Sequence, residues 1–177
     1  MPPMPAPLSL NKINKIWLIG FMGCGKSTLG AVLAEALGYH FLDTDLQIAA
    51  EAGLSIERIF QEKGEGHFRG LEGDLVAQLE QVPSPLVIAT GGGLPLYTPL
   101  KGTIVYLSLD FESLHARLLN DPNPRPLFKD KESLHALYQQ RAPLYAKMAT
   151  LSLDARGTPK DLALQLITLL RPNPPHN

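Results

Sequence analysis

The strongest constraint on the fold is a nine-residue glycine-rich stretch near the start of the chain, GFMGCGKST at residues 20–28. It fits the pattern G-x-x-x-x-G-K-[ST], and its fixed positions are Gly20, Gly25, Lys26 and Ser27. The glycines allow a tight turn whose backbone N–H groups face phosphate oxygens, and a helix that follows adds the positive end of its dipole. The stretch therefore predicts a phosphate-binding loop between a buried strand and a helix.

Apolar periodicity predicts strands and helices in alternation along the whole chain. We predict strands at residues 16–19, 39–42, 86–89, 103–109 and 150–153. We predict helices at residues 28–37, 46–52, 56–63, 65–80, 111–119, 131–148 and 159–170. Such alternation is typical of an α/β fold whose parallel sheet is covered by helices on both faces. Ligands of such sheets bind at the carboxyl ends of the strands, where the glycine-rich loop falls.

Length and charge restrict the classes of function. The 177 residues suit a single domain, expected at residues 12–170, with flexible tails at 1–11 and 171–177. A net charge of −1 provides no general attraction to nucleic acid or to an anionic membrane. A single cysteine excludes an internal disulfide, and we find neither a signal peptide nor a membrane-spanning stretch. We therefore expect a soluble, cytoplasmic protein, monomeric, with small-molecule partners.

Two carboxylates follow the second predicted strand. Asp43 and Asp45 stand two residues apart, so an extended backbone would direct both toward the phosphate-binding loop. We expect Asp43 to assist a magnesium ion bound by Ser27, and Asp45 to meet a hydroxyl that attacks the terminal phosphate near Lys26. The alternative is that Asp45 only caps a helix that begins at Leu46.

Two arginines are candidates for binding a carboxylate, because the guanidinium group matches a carboxylate with parallel hydrogen bonds. Arg69 has a simpler interpretation, a surface ion pair with Glu72, and Arg141 can equally be solvated. The triple glycine at residues 91–93 would bring the backbone N–H groups of Gly91, Gly92 and Gly93 close to a ligand, or would form only a tight turn.

The segment at residues 120–126 contains three prolines, which exclude regular structure and suggest a lid over about 120–130. Arg125 is our candidate for an arginine that reaches the transferred phosphoryl group when the lid closes. Arg117 would either stack on adenine or pair with Asp121. We also expect alkylation of Cys24, inside the phosphate-binding loop, to block ATP binding.

These motifs together resemble those of the shikimate kinase family. The resemblance rests on residues 20–28, 41–45, 64–72, 91–93, 125–127 and 141–145, which cover nearly the whole predicted domain. It implies ATP-dependent phosphorylation of the 3-hydroxyl of shikimate, a step toward chorismate and the aromatic amino acids. It also implies a phosphate-loop (P-loop) kinase of three α/β/α layers, with a five-stranded parallel sheet in the order 2-3-1-4-5 and a mobile lid.

The resemblance also implies roles for individual residues. ATP would contact Gly23, Cys24, Gly25, Lys26, Ser27, Thr28, Arg117, Arg125 and Pro126. Shikimate would contact Asp45, Arg69, Gly91, Gly92, Gly93 and Arg141. One Mg²⁺ ion would be held by Ser27 and Asp43, and the catalytic residues would be Lys26, Asp45 and Arg125. Two features depart from the family pattern: Arg117 and Arg125 stand one residue further apart than in many members, and Lys147 replaces a common acidic residue.

Other classes of protein also use a phosphate-binding loop. A small kinase acting on gluconate or on a nucleoside monophosphate shares the phosphate-binding loop, although a carboxylate-binding arginine pair argues against a nucleotide acceptor. A GTP-dependent switch would need the Asn-Lys-x-Asp motif, and residues 11–14 lack its aspartate and precede the loop. A non-catalytic nucleotide-binding module would leave Asp45 and Arg125 without a role.

Overall fold

The structure is a computed structural model that describes residues 13–122 and 130–171. Its strands are β1 (Lys15–Ile19), β2 (His40–Asp43), β3 (Leu86–Ala89), β4 (Thr103–Ser108) and β5 (Leu151–Asp154). Its helices are α1 (Lys26–Leu37), α2 (Thr44–Ala52), α3 (Ile56–Lys63), α4 (Glu65–Gln81), α5 (Leu94–Tyr97), α6 (Phe111–Leu119), α7 (Lys131–Met148) and α8 (Pro159–Leu170).

The five strands form one parallel sheet in the order β2-β3-β1-β4-β5, as predicted. The register aligns the carboxyl ends of the central strands: Leu18 pairs with Ala89 and Ile19 with Tyr106, while Asp43 also pairs with Ala89. The phosphate-binding loop, the first turn of α2 and the triple glycine therefore leave the sheet along the same edge. This edge is where an α/β sheet binds its ligands.

Alternating side chains on β1 divide the apolar core into two layers. Ile16 and Leu18 lie in the layer that contains α1 and α8, and Trp17 lies in the layer that contains α4 and α5. All three side chains are fully buried. Because helices cover both faces of the sheet, the central strand is apolar at residues 16–19, after its first residue, Lys15.

Helix caps explain most of the boundaries. Gly38 ends α1 in the left-handed conformation, as predicted from its position. Ser55 caps α3, as predicted, by accepting a hydrogen bond from the amide of Arg58. At the second strand the prediction was wrong: α2 begins at Thr44, not at Leu46, and Asp43 is its cap. The backbone is therefore not extended between Asp43 and Asp45.

The helix predicted at residues 65–80 is confirmed, since α4 is continuous through Gly70 and Gly73 up to Gln81. The four-residue helix α5, which follows the triple glycine directly, was not predicted from the sequence. None of the helices within residues 13–122 and 130–171 combines the length and apolarity needed to cross a membrane.

Several predicted features lie outside the described residues. They are Arg125 and Pro126, most of the proposed lid, the whole N-terminal tail at residues 1–11, and residues 172–177.

Candidate active site

The phosphate-binding loop has the backbone geometry that its glycines allow. Gly20, Gly23 and Gly25 have φ angles of 151°, 81° and 96°, a region that residues with a side chain rarely adopt. A Cβ atom on Gly20 would also lie 2.9 Å from the carbonyl oxygen of Leu107 on the neighbouring strand. The loop therefore depends on glycine at these positions.

Helix α1 presents an open N-terminus to this loop. Its cap residue, Gly25, offers no side chain to the first amide groups, and no acidic residue stands in its first turn. Free amide groups and the positive end of the helix dipole favour an anion at this point. The loop and the start of α1 together form a site suited to phosphate.

Lys26 places a positive charge inside the loop. Its ammonium group donates hydrogen bonds to the carbonyl oxygens of Gly20, at 2.7 Å, and Phe21, at 3.1 Å. The side chain of Cys24 is buried, with its sulfur 3.7 Å from the Lys26 nitrogen. A group attached to this sulfur would need space inside the loop, and its effect on ATP binding stays a prediction.

Arg117 connects the phosphate-binding loop to the segment after β5. Its guanidinium donates to the carbonyl oxygen of Cys24 at 3.2 Å and to that of Ala155 at 3.1 Å. It also lies close to Gly25, where an added Cβ would be 3.7 Å from its Nη1. The stacking of Arg117 on adenine and its pairing with Asp121 both stay predictions.

Ser27 and Asp43 place a hydroxyl and a carboxylate beside the loop. The Ser27 hydroxyl donates a hydrogen bond to Oδ2 of Asp43, while Oδ1 of Asp43 accepts the amide of Leu46 at 3.1 Å. A hydroxyl and a carboxylate beside a phosphate site are suitable for a hard divalent cation that keeps water and phosphate ligands. Within the described ranges no cluster of three or more His, Cys, Asp or Glu residues could hold a metal by itself.

The triple glycine brings together three residues that are predicted to bind the substrate. A Cβ atom added to Gly91 would lie 2.6 Å from the Asp45 carboxylate. A Cβ atom added to Gly92 would lie 3.5 Å from the Arg141 guanidinium. At Gly93 an added Cβ would lie 2.6 Å from the Arg69 guanidinium. None of these glycines has a positive φ, so close approach, rather than backbone conformation, accounts for them. Gly91 donates its amide to the hydroxyl of Thr44 at 2.9 Å, which ties the glycines to the first turn of α2.

Arg69 is held by two carboxylates on its own helix. Its Nη1 donates to Glu72 at 2.8 Å, and its Nη2 donates to Glu65 at 3.2 Å. The Arg69 side chain is 16% exposed and that of Glu72 only 1%, so the pair with Glu72 is not the surface ion pair considered from the sequence. Although burial opposes it, hydrogen bonding with Glu72 and Glu65 raises the pKa of Arg69.

Glu72 is the main residue of the site that the sequence did not reveal. One of its carboxylate oxygens, Oε1, is buried without a hydrogen-bond partner among the described residues, and it points toward Gly91 beside Asp45. Burial raises the pKa of the Glu72 carboxyl, against the opposing charges of Arg69 and Arg141, and the nearby Asp45 adds to the rise. In sequence, Glu72 is only an acidic residue three positions after Arg69, a spacing common on solvated helices.

Tyr145 is a second residue whose role was not predicted. It is fully buried, and its hydroxyl donates a hydrogen bond of 2.5 Å to the carbonyl oxygen of Gly92. Burial raises its pKa to about 12, so the hydroxyl keeps its proton at neutral pH. One turn earlier on α7 stands Arg141, so this bond fixes the arginine relative to the triple glycine.

The site thus has two halves along one edge of the sheet. One half, with Lys26 and the start of α1, suits a chain of phosphates with a cation at Ser27 and Asp43. The other half places Arg69 and Arg141 beside a carboxylate, Asp45. Such a pair of halves fits transfer of a phosphoryl group to an acceptor that is itself an anion.

Comparison with known proteins identifies the family. The family model described as shikimate kinase matches residues 22–171. The chain belongs to the shikimate kinase family. A shikimate kinase from Synechococcus sp. (strain RCC307) is 43% identical over 153 residues, covering 81% of this chain and 77% of the relative.

Solved structures agree with the family assignment. A shikimate kinase from Acinetobacter baumannii in complex with shikimate has a TM-score of 0.82 at 34% identity, covering 92% of this chain and 95% of its own. A gluconokinase from Sinorhizobium meliloti 1021 has a TM-score of 0.57 at 16% identity, covering 89% and 91%. The second similarity extends to the fold alone, which shikimate kinases share with other P-loop kinases. As a member of a family of ATP-using kinases, the chain is expected to work with a divalent metal ion.

Proposed function

We propose that this chain transfers the γ-phosphoryl group of ATP to the 3-hydroxyl of shikimate, a step toward chorismate and the aromatic amino acids. Family membership supports the reaction. The observation that assigns this reaction to particular residues is the packing of the triple glycine, whose three residues lie against Asp45, Arg141 and Arg69. An acceptor with a carboxylate and a hydroxyl needs this combination of two arginines and an acid.

The phosphate half would neutralise the triphosphate. The amide groups of residues 23–28 surround the β- and γ-phosphates, and Lys26 exchanges its loop carbonyl partners for phosphate oxygens. Arg125, which lies outside the described residues, would add a second positive charge at the transferred group. Arg117 and Pro126 would flank adenine.

We assign one Mg²⁺ ion to Ser27 and Asp43. Their adjacent hydroxyl and carboxylate oxygens are the kind of ligand that Mg²⁺ prefers. When bound, the ion supplies positive charge to the phosphate oxygens during transfer. Asp43 would keep its hydrogen bond to the amide of Leu46, so the metal ligand stays fixed at the start of α2.

The acceptor half would orient shikimate. Arg69 and Arg141 bind its carboxylate, with the amide group of Gly92 beside them, and Asp45 accepts a hydrogen bond from the 3-hydroxyl. As the hydroxyl oxygen forms its bond to the γ-phosphorus, the bond from that phosphorus to the bridging oxygen of ADP breaks. The hydroxyl proton passes to Asp45 or to solvent, and the phosphoryl charge is balanced by Lys26.

We further propose that the chain acts as a cytoplasmic monomer with one kinase domain at residues 12–170. Its small-molecule partners are ATP and shikimate. The net charge of −1 supports the absence of nucleic-acid or membrane partners.

Acceptor choice tests the function directly. We would measure ADP release with ATP and Mg²⁺ in the presence of shikimate, gluconate, AMP, CMP or water alone. Shikimate should stimulate ADP release by orders of magnitude over water, and the other acceptors should not. Stimulation by shikimate no greater than by water would refute the proposal. A response to gluconate alone would show that this kinase uses a different acceptor.

A further inference from the structure

Tyr97 covers the guanidinium group of Arg69. The centre of its ring lies 4.2 Å from Cζ of Arg69, with the guanidinium over the ring. Tyr97 is 56% exposed, so burial in the core does not explain its position. An aromatic ring at this distance attracts a cation through the negative charge of its face.

Tyr97 stands on a rigid support. It ends α5, whose first residue, Leu94, is fully buried. The amide of Leu96 donates to the carbonyl oxygen of Gly93 at 3.0 Å, and that of Thr98 donates to Leu94 at 2.9 Å. The turn that begins at Gly93 therefore positions two groups against Arg69, the backbone of Gly93 and the ring of Tyr97.

The guanidinium group of Arg69 makes hydrogen bonds along the edge of its plane and contacts the ring of Tyr97 with its face. Glu65 and Glu72 take N–H groups around the edge of the guanidinium plane. The remaining N–H groups on Nη1 and Nη2 can donate in that plane to an incoming carboxylate. The ring of Tyr97 occupies a face, which provides no N–H donor, so the ring and a carboxylate do not compete for the same part of Arg69.

We propose that Tyr97 is a positioning residue for the acceptor carboxylate, and that it acts by holding the plane of Arg69. This inference rests on the proposed function, in which Arg69 binds that carboxylate. Without the ring, Arg69 keeps its two ion pairs and a longer contact with Phe68, whose ring centre lies 5.4 Å from Cζ. It can still tilt, because all three of these partners lie on its own helix. Tyr97 thus affects binding of the acceptor and has no part in binding ATP or in the transfer itself.

The test compares Tyr97→Leu with Tyr97→Phe. Leucine keeps an apolar side chain and removes the aromatic face, whereas phenylalanine retains the face. We expect Tyr97→Leu to raise KM for shikimate about three- to thirty-fold, the range of cation–π contributions from exposed to desolvated sites. Its kcat and its KM for ATP should stay within about twofold of the wild type, and Tyr97→Phe should restore KM for shikimate to within about twofold.

The outcomes separate this inference from the proposed function. If the wild type phosphorylates shikimate and Tyr97→Leu has the same KM, the positioning role is wrong. If both variants raise KM equally, the aromatic face is not the cause and the inference is also wrong. A wild-type protein that does not phosphorylate shikimate would overturn the proposed function before either variant is compared. Thermal unfolding of all three proteins checks that neither substitution destabilises the fold.

Discussion

Gly93 packs so closely against Arg69 that a substitution of this single residue should displace the arginine selectively. A Cβ atom there would lie 2.6 Å from both terminal nitrogens of Arg69, and the mobile end of that side chain would have to move. Because Gly93 has an ordinary φ of −87°, alanine adds no backbone strain. The substitution therefore displaces the arginine and spares the fold.

We predict that Gly93→Ala raises KM for shikimate about 10- to 100-fold, which corresponds to roughly 1.5–3 kcal/mol for a lost hydrogen bond to a charged group. KM for ATP should change little, and initial rates over both substrates measure the two effects. The matched control is Gly70→Ala on α4, where nothing lies within 4 Å of the added Cβ. It should leave both KM values unchanged and stabilise the helix by about 0.5–1 kcal/mol. Equal effects of the two substitutions on KM would contradict the prediction.

Glu72 gives a prediction about pH. Its pKa is raised above the usual 4.5, mainly by burial, so the folded protein binds a proton at Glu72 more tightly than the unfolded chain does. The stability that Glu72 contributes is complete below the usual pKa and is lost as pH rises through the raised value. Glutamine at this position does not titrate, so the pH-dependent loss is absent.

We therefore predict that the unfolding free energy of Glu72→Gln, relative to the wild type, increases as pH rises above about 4.5. Urea unfolding of both proteins between about pH 4 and 8 measures the difference. A constant offset at every pH would show that Glu72 titrates normally in the folded protein. Glu65→Gln is the control, since Glu65 also binds Arg69 but its side chain is 57% exposed.

Among the elements of the fold, the junction between β2 and α2 combines a helix cap with the proposed metal site. Asp43 caps α2 through one oxygen and accepts the Ser27 hydroxyl through the other. Asp45 lies in the first turn of the same helix, so the cap also fixes the residue assigned to the acceptor hydroxyl. Two substitutions at Asp43 can separate the cap from the charge.

Asp43→Asn should keep the cap, because asparagine caps helices about as well as aspartate, but it removes the negative charge. We predict an unfolding free energy within about 0.5 kcal/mol of the wild type and a several-fold higher Mg²⁺ concentration for half-maximal ADP release. Asp43→Ala should have the same metal defect and lose about 1 kcal/mol of stability as well. An unchanged Mg²⁺ requirement in Asp43→Asn would remove Asp43 from the metal site.

Elements with a strong local signal could be predicted from the sequence. Residues 16–19 of β1 are an apolar run, and Gly38 and Ser55 mark helix boundaries by well-understood caps. Helix α5 could not be predicted, because four residues are too few to show a helical period. The start of α2 was misplaced, because two aspartates near one boundary are equally good caps and only the structure shows which one is used.

At the scale of the whole molecule, the sheet determines which residues meet. Asp45, Arg69 and Arg141 come from three different helices, and the triple glycine after β3 brings them together. Their roles were inferred from residue type and from family resemblance, since no local pattern connects them. Glu72, Tyr145 and Tyr97 were missed because burial and ring stacking depend on how α4, α5 and α7 pack around the ends of the strands.

In the proposed function, the two halves of this site act together to phosphorylate one hydroxyl of shikimate. Coupled phosphorus and proton NMR of the product made from ATP, Mg²⁺ and shikimate tests this directly. We expect a single phosphate ester whose phosphorus couples to the proton on carbon 3, with one ADP formed for each ester. A phosphate on another hydroxyl, or ADP released with inorganic phosphate and no ester, would contradict it.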